Sequence, residues 1–254
     1  MDVNKNSYTF GFAAVMVVVV AALLSFAAIS LKPFQSRNIL LEKKQNILSS
    51  VGINIDREEA DIQYSIFVKE ELVLNYKGEE VDGVAFDVDL QKELKKDKNL
   101  QLLPLFISEV DGKKQYIIPL RGKGLWGPIW GFISLEDDLN TVFGAVFDHK
   151  SETPGLGAEI NQPFFEDPFS GKSLFDGEEL KSIKVIKGGA SEDNMYGVDG
   201  ISGGTITSDG VTDMLLERLT MYLPYFNKIK PTIEVNSVFS AMDSVVTVND
   251  SLIN

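Results

Sequence analysis

Residues 11–31 carry no charged side chain and consist mostly of Ala, Val, Leu, Ile and Phe. About 20 apolar residues suffice to cross a bilayer core as a helix. Lys5 and Lys32 bracket the run. A secretory signal peptide has a shorter apolar core, about 7–15 residues, and a small-residue cleavage site. Ala28-Ile29-Ser30 matches such a site weakly, and the length of the run favours an uncleaved signal anchor. The chain then divides into a tail (1–10), a transmembrane helix (11–31), a linker helix (32–60) and a soluble domain (61–254). Its 254 residues allow one large domain, or one domain with attachments.

Composition narrows what the soluble part can do. The net charge is −13, all of it outside the apolar run. Nucleic acid needs a basic face, so it is not an expected partner. With no cysteine and one histidine, disulfides, a thiolate cluster, a zinc site and a lipoprotein anchor are not expected. Redox chemistry would have to come from a bound organic cofactor.

Periodicity predicts an α+β fold. Residues 39–51 read as a helix (Ile39, Leu40, Ile47, Leu48, Val51) ended by Gly52, and residues 58–64 as an acidic connection. Residues 84–90 alternate as a strand would. Residues 102–110, 115–120, 130–135, 141–147 and 180–186 are further strand candidates. Val211, Met214, Leu215, Leu219 and Tyr222 follow helical spacing, with Arg218 the polar exception. Thr207 and Ser208 are candidate N-caps for that helix, and Pro224 predicts its stop near Leu223. Runs of strands with helices at the ends argue against a doubly wound fold.

Three segments carry candidate chemistry. Asp199-Gly200-Ile201-Ser202-Gly203-Gly204-Thr205 sets a threonine hydroxyl on a glycine-rich turn ahead of the last helix. Glycines admit close backbone approach and φ > 0, and a helix N-terminus suits a phosphate. A hydroxyl beside an anion seat can accept a phosphate ester; the bland alternative is a loop capping an ordinary helix. The same residues fit Gly-x-Ser-x-Gly, the nucleophile elbow of hydrolases. That alternative is a membrane-anchored serine hydrolase using Ser202 and His149, although the histidine lies upstream. The second segment, residues 149–157, is a polar loop stiffened by Pro154, Gly155 and Gly157. The third, residues 122–132, alternates glycines with aromatics including Trp126 and Trp130. Its rings could fill the core or stack on a planar ligand. An anchored binding module, in which all three segments are only turns, is the remaining alternative.

The first segment resembles the flavinylation motif Asp-x-x-Ser/Thr-Gly-Ala-Thr, whose last threonine carries FMN through its phosphate. Asp199, Ser202, Gly203 and Thr205 match, and Gly204 stands where that motif has alanine. The second resembles the His-x-x-Glu-Thr-Pro-Gly-Leu-Gly signature of the same FMN-binding domain family. The third resembles the Gly-x-Gly-Leu-Trp-Gly-x-Ile-x-Gly stretch of the NqrC family, the C-type subunits of sodium-translocating NADH:quinone oxidoreductases. The related G-type subunit of the Rnf ferredoxin:NAD electron-transport complex shares the first two signatures and is the close alternative.

The resemblance implies FMN esterified to Thr205, within an FMN-binding region of about 116–223. Ser202, Gly203, Gly204, Thr207 and Asp199 would belong to the attachment site. Glu152, Thr153, Gly155, Leu156 and Gly157 would form a wall of the pocket, with Trp126 an apolar contact. A separate flavin transferase would attach the group, with FAD as donor. The chain would carry electrons in a complex that oxidises NADH, reduces ubiquinone and pumps sodium, beside flavin- and iron–sulfur-bearing subunits. No Gly-x-Gly-x-x-Gly follows a strand, so NADH would bind elsewhere. The apolar run offers sodium no ionisable residue. Charge leaves orientation open: Lys5 favours a cytoplasmic N-terminus, whereas Lys32, Arg37, Lys43 and Lys44 favour the reverse. The resemblance implies a single-pass inner-membrane protein with its soluble domain in the periplasm.

Overall fold

The computed structural model describes residues 6–250, with side chains through residue 230, and divides the chain into two units, Met1–Lys44 and Gln45–Asn254. Helix α1 (Asn6–Ser49) runs from the first into the second with Pro33 inside it. In the first unit Phe10, Val17, Leu24, Phe26 and Ile29 are exposed. The helix is long and apolar enough to cross a membrane, as a single anchor would be. It ends as the sequence predicts. Gly52 takes φ 76°, and Ile53 N donates to Leu48 O at 3.0 Å, which closes the last turn in a Schellman motif.

The second unit continues with a short 3₁₀ turn (Arg57–Glu59), α2 (Ala60–Phe67), β1 (Val68–Leu74) and β2 (Glu80–Val81). Helix α3 (Leu90–Glu93) leads to β3 (Leu103–Val110), β4 (Lys113–Lys123), β5 (Pro128–Leu135) and β6 (Val142–His149). These strands form one antiparallel sheet in the order β2-β1-β3-β4-β5-β6. Period-two alternation gives it two apolar faces. Leu105, Ile107, Ile118, Leu120, Ile133 and Phe147 belong to one core cluster, and Phe106, Ile117 and Phe132 to another. Ile47, Leu48, Val51 and Tyr64 fill the second cluster. The first three, expected on a linker helix, are therefore core residues of the second unit.

Beyond the sheet come a 3₁₀ turn (Gly157–Asn161), α4 (Pro163–Glu166), and the small pair β7 (Phe175–Asp176) and β8 (Glu179–Leu180). Strand β9 (Lys184–Ile186) then pairs in parallel with β10 (Gly197–Asp199). Helix α5 (Thr205–Asp250) closes the first cluster with Val211, Met214, Leu215, Leu219, Tyr222 and Phe226, all buried. Burying each such side chain contributes about 1.5–3 kcal/mol. Two glycines permit this close packing. A Cβ on Gly122 would lie 2.6 Å from Met214 Cβ, and one on Gly210 would overlap the carbonyl oxygen of Lys123.

The α+β class holds, and four local expectations do not. Residues 84–90 form no strand: Ala85–Asp87 is a 3₁₀ turn, because Asp87 N bonds Val84 O and Phe86 N bonds the Glu71 carboxylate. Residues 58–64 are largely helical. The run 180–186 breaks at Ser182, which takes φ 59°. Pro224 does not stop α5: burial of Tyr222 and Phe226 on either side outweighs the one hydrogen bond a proline removes.

Candidate functional site

The site forms where three loops meet at the start of α5. The first is the turn after β10. Gly200 N donates to Ile186 O and Gly204 N to Ile201 O, which folds residues 200–204 into a tight corner. Gly203 takes φ 75°, a conformation side chains rarely adopt. Helix α5 begins at Thr205, three residues before the expected start near Ser208. Thr207 and Ser208 are not its caps, because their hydroxyls are engaged elsewhere. Thr207 Oγ1 donates to Glu152 Oε2 at 2.6 Å, and Ser208 Oγ accepts from Ile201 N at 3.3 Å. The first intrahelical bond runs from Ser208 N to Gly204 O, so the amides of Thr205, Ile206 and Thr207 precede it. Thr205 is half-buried and Ser202 exposed.

The second loop is residues 150–157. Glu152 is buried and binds all three segments. Its Oε1 accepts from Trp126 N at 2.8 Å, its Oε2 accepts from Thr207 Oγ1, and its own amide donates to His149 Nδ1 at 3.2 Å. Gly157 lies flat against this junction: a Cβ there would strike Thr207 Oγ1 and come within 2.6 Å of Glu152 Oε2. Leu156 reaches the other loop, with Cδ2 2.5 Å from where a Cβ of Gly203 would stand. The third loop joins β4 to β5. A Cβ on Gly124 would meet Glu152 Oε1 at 2.6 Å. Trp126 beyond it is 66% exposed, and Leu156 is 40% exposed.

Thus Trp126, Glu152, Leu156, Gly157, Gly203, Gly204, Thr205 and Thr207 come together. Three expected residues stand apart. Asp199 Oδ1 accepts from Ala190 N at 2.7 Å and holds the Gly188-Gly189 turn. Thr153 contributes its carbonyl, which accepts from Leu156 N and Ala158 N. Gly155, with φ 76° and its amide on Glu159 Oε1, shapes the loop from its open side. No hydrogen bond joins Ser202 to His149 among the described residues, so the hydrolase pair lacks its nucleophile–base contact. Sequence reasoning passed over Leu125 and Ile206, which expose apolar surface beside the site; their signal was apolar side chains inside polar turn motifs.

A glycine corner, a half-buried threonine at a helix start and amides ahead of the first intrahelical bond, flanked by exposed apolar side chains, suit an anion that carries a planar ring system. Residues 124–220 match the FMN-binding domain family. Over 90% of its length, the C-type subunit of the Na+-translocating NADH-quinone reductase of Vibrio alginolyticus is 32% identical to 83% of this chain. The crystal structure of the corresponding protein from Parabacteroides distasonis superimposes with a TM-score of 0.72 at 45% identity, covering 77% of this chain and 96% of the other. Shewanella oneidensis NqrC gives 0.64 at 26% identity, covering 76% and 97%. The chain belongs to the NqrC family, the C-type subunits of the Na+-translocating NADH-quinone reductases, and it carries that family's FMN-binding domain.

Proposed function

We propose that FMN is joined through its phosphate to Thr205 Oγ, and that the chain relays electrons among the subunits of a sodium-pumping NADH:ubiquinone oxidoreductase. One observation carries this reading: Thr205 is the first residue of α5, directly after the glycine corner, and it is only half-buried. The residues present suit the group. The amides of Thr205, Ile206 and Thr207 would share the phosphate charge with the helix dipole. Gly204 keeps the approach to the hydroxyl narrow but clear, since its missing Cβ would face Ile201 and Gly157 N. Glu152 has both oxygens occupied, so it fixes the pocket wall and leaves the ring contacts to Trp126 and Leu156.

When bound, FMN supplies electron transfer at its ring system. The protein contributes position and an apolar wall. A flavin transferase with FAD as donor is the expected source of the ester. The soluble unit would then lie on the extracytoplasmic side of the inner membrane, where a covalent link prevents loss of the cofactor. Flavin- and iron–sulfur-bearing membrane subunits are the expected partners.

Flavin fluorescence in a denaturing gel tests the attachment, using protein made in a host with the transferase. The expected result is a fluorescent wild-type band, a dark Thr205→Ala band and a fluorescent Ser202→Ala band. A dark wild-type band, beside a control protein that is labelled, would refute the covalent link.

A further inference from the structure

The stripe that docks α5 on the sheet contains one residue that packing does not require. Arg218 lies among buried Leu215, Leu219 and Tyr222, and is itself 8% exposed. Among the described residues its guanidinium has one partner. Nη2 reaches Glu217 Oε2 at 3.4 Å, and that glutamate side chain is 69% exposed. Nε and Nη1 are buried without a partner. Burial also holds the Arg218 pKa below its usual value. A buried guanidinium with free donors destabilises a fold unless something accepts from it.

Arg218 is among the residues that line a cleft of about 600 Å³, within the size range of small-molecule sites. Lys98 and Gln101 line it from the segment before β3, and Leu94, Leu216 and Met221 give it apolar walls. Gln101 is buried too. Its Nε2 donates to Lys96 O at 2.9 Å, while Oε1 has no partner. Two residues that line one cavity therefore each carry buried polar atoms without a partner. The charges around it, Arg218 and Lys98 against Glu217, sum to a single positive charge on a chain of net −13. Thirteen residues along α5 place the cleft about 20 Å from Thr205, well clear of the candidate FMN site.

We propose that this cleft is a second ligand site, for a monoanionic carboxylate with an apolar body. The carboxylate takes the free donors of Arg218, and the body lies against Leu94, Leu216 and Met221. A single negative charge matches the cleft, whereas a dianionic phosphate exceeds it.

The test uses the full-length chain in a neutral detergent, titrated with 4-fluorophenylacetate and followed by fluorine relaxation. Saturable binding is expected, weakened at least about tenfold for the neutral 4-fluorophenylacetamide. Leu216 is 45% exposed, so Leu216→Glu brings a negative charge to the cleft without entering the core. It should weaken binding at least about fivefold. Arg218→Met should abolish binding, and should it fail to fold, Leu216→Glu carries the test. A folded wild type without saturable binding up to about 20 mM, equal affinity for the amide, or unchanged affinity in Leu216→Glu would each overturn the proposal.

Discussion

Glu152 shows how one side chain can hold a site together. Its partners lie on the β4–β5 loop, the end of β6 and the first turn of α5, and both of its oxygens accept from donors. Glu152→Ala would leave Trp126 N and Thr207 Oγ1 unmatched, and is expected to lower the free energy of unfolding by about 2–4 kcal/mol in urea titrations. The two glycines of the corner should respond differently. A Cβ at Gly204 would meet Ile201 Cγ2 at 3.1 Å and Gly157 N at 3.3 Å, which small shifts relieve. Gly204→Ala, which restores the family motif, should change stability by less than about 1 kcal/mol and keep the flavin fluorescence. Gly203→Ala meets both a φ of 75° and Leu156 Cδ2, and should cost about 1–2 kcal/mol by the same titration. The sequence located this corner because its residues are contiguous. It did not reveal Glu152 as the brace, because Trp126 and Thr207 lie 26 and 55 positions away along the chain.

Helix α4 bears on β6 through one carboxylate. Glu166 Oε1 accepts from Phe147 N at 2.6 Å, and burial, the larger effect, pushes its pKa up to about 7. In the unfolded chain the proton leaves near pH 4.5, so between that pH and about 7 the native state binds more protons. Stability should therefore fall as pH rises through that window, by about 1–2 kcal/mol once solvent screening is allowed for. Glu166→Gln keeps the acceptor and should flatten the decline in urea titrations at pH 5 and pH 8. Among the elements, β3 to β6 were legible because each carries a long, mostly apolar run. Strand β1 escaped notice: it opens Val68-Lys69-Glu70-Glu71, half-buried or exposed, and its buried end is short. The extent of α5 escaped for the opposite reason, since Pro224 is a strong local stop that core packing overrides.

At the scale of the whole molecule, the apolar run and the second unit fall on different stretches of the chain. The unit Gln45–Asn254 contains both core clusters. A chain starting at Gln45 is expected to stay monodisperse without detergent and to keep its melting temperature within about 3 °C of the full chain's; scanning calorimetry and light scattering check this. The long apolar helix was legible from hydropathy alone. The strand order was not, because it depends on pairings such as Val68 with Ser108 that no local pattern encodes. Among the features described, the start of α5 has the widest consequence. Thr205 begins the same rod whose later turns fill the core as far as Phe226. A group hung from that hydroxyl would move with the core and not with a loop, so its hand-over distance would be held to packing tolerance. Variation in transfer would then come from how partners dock and not from slack in the tether.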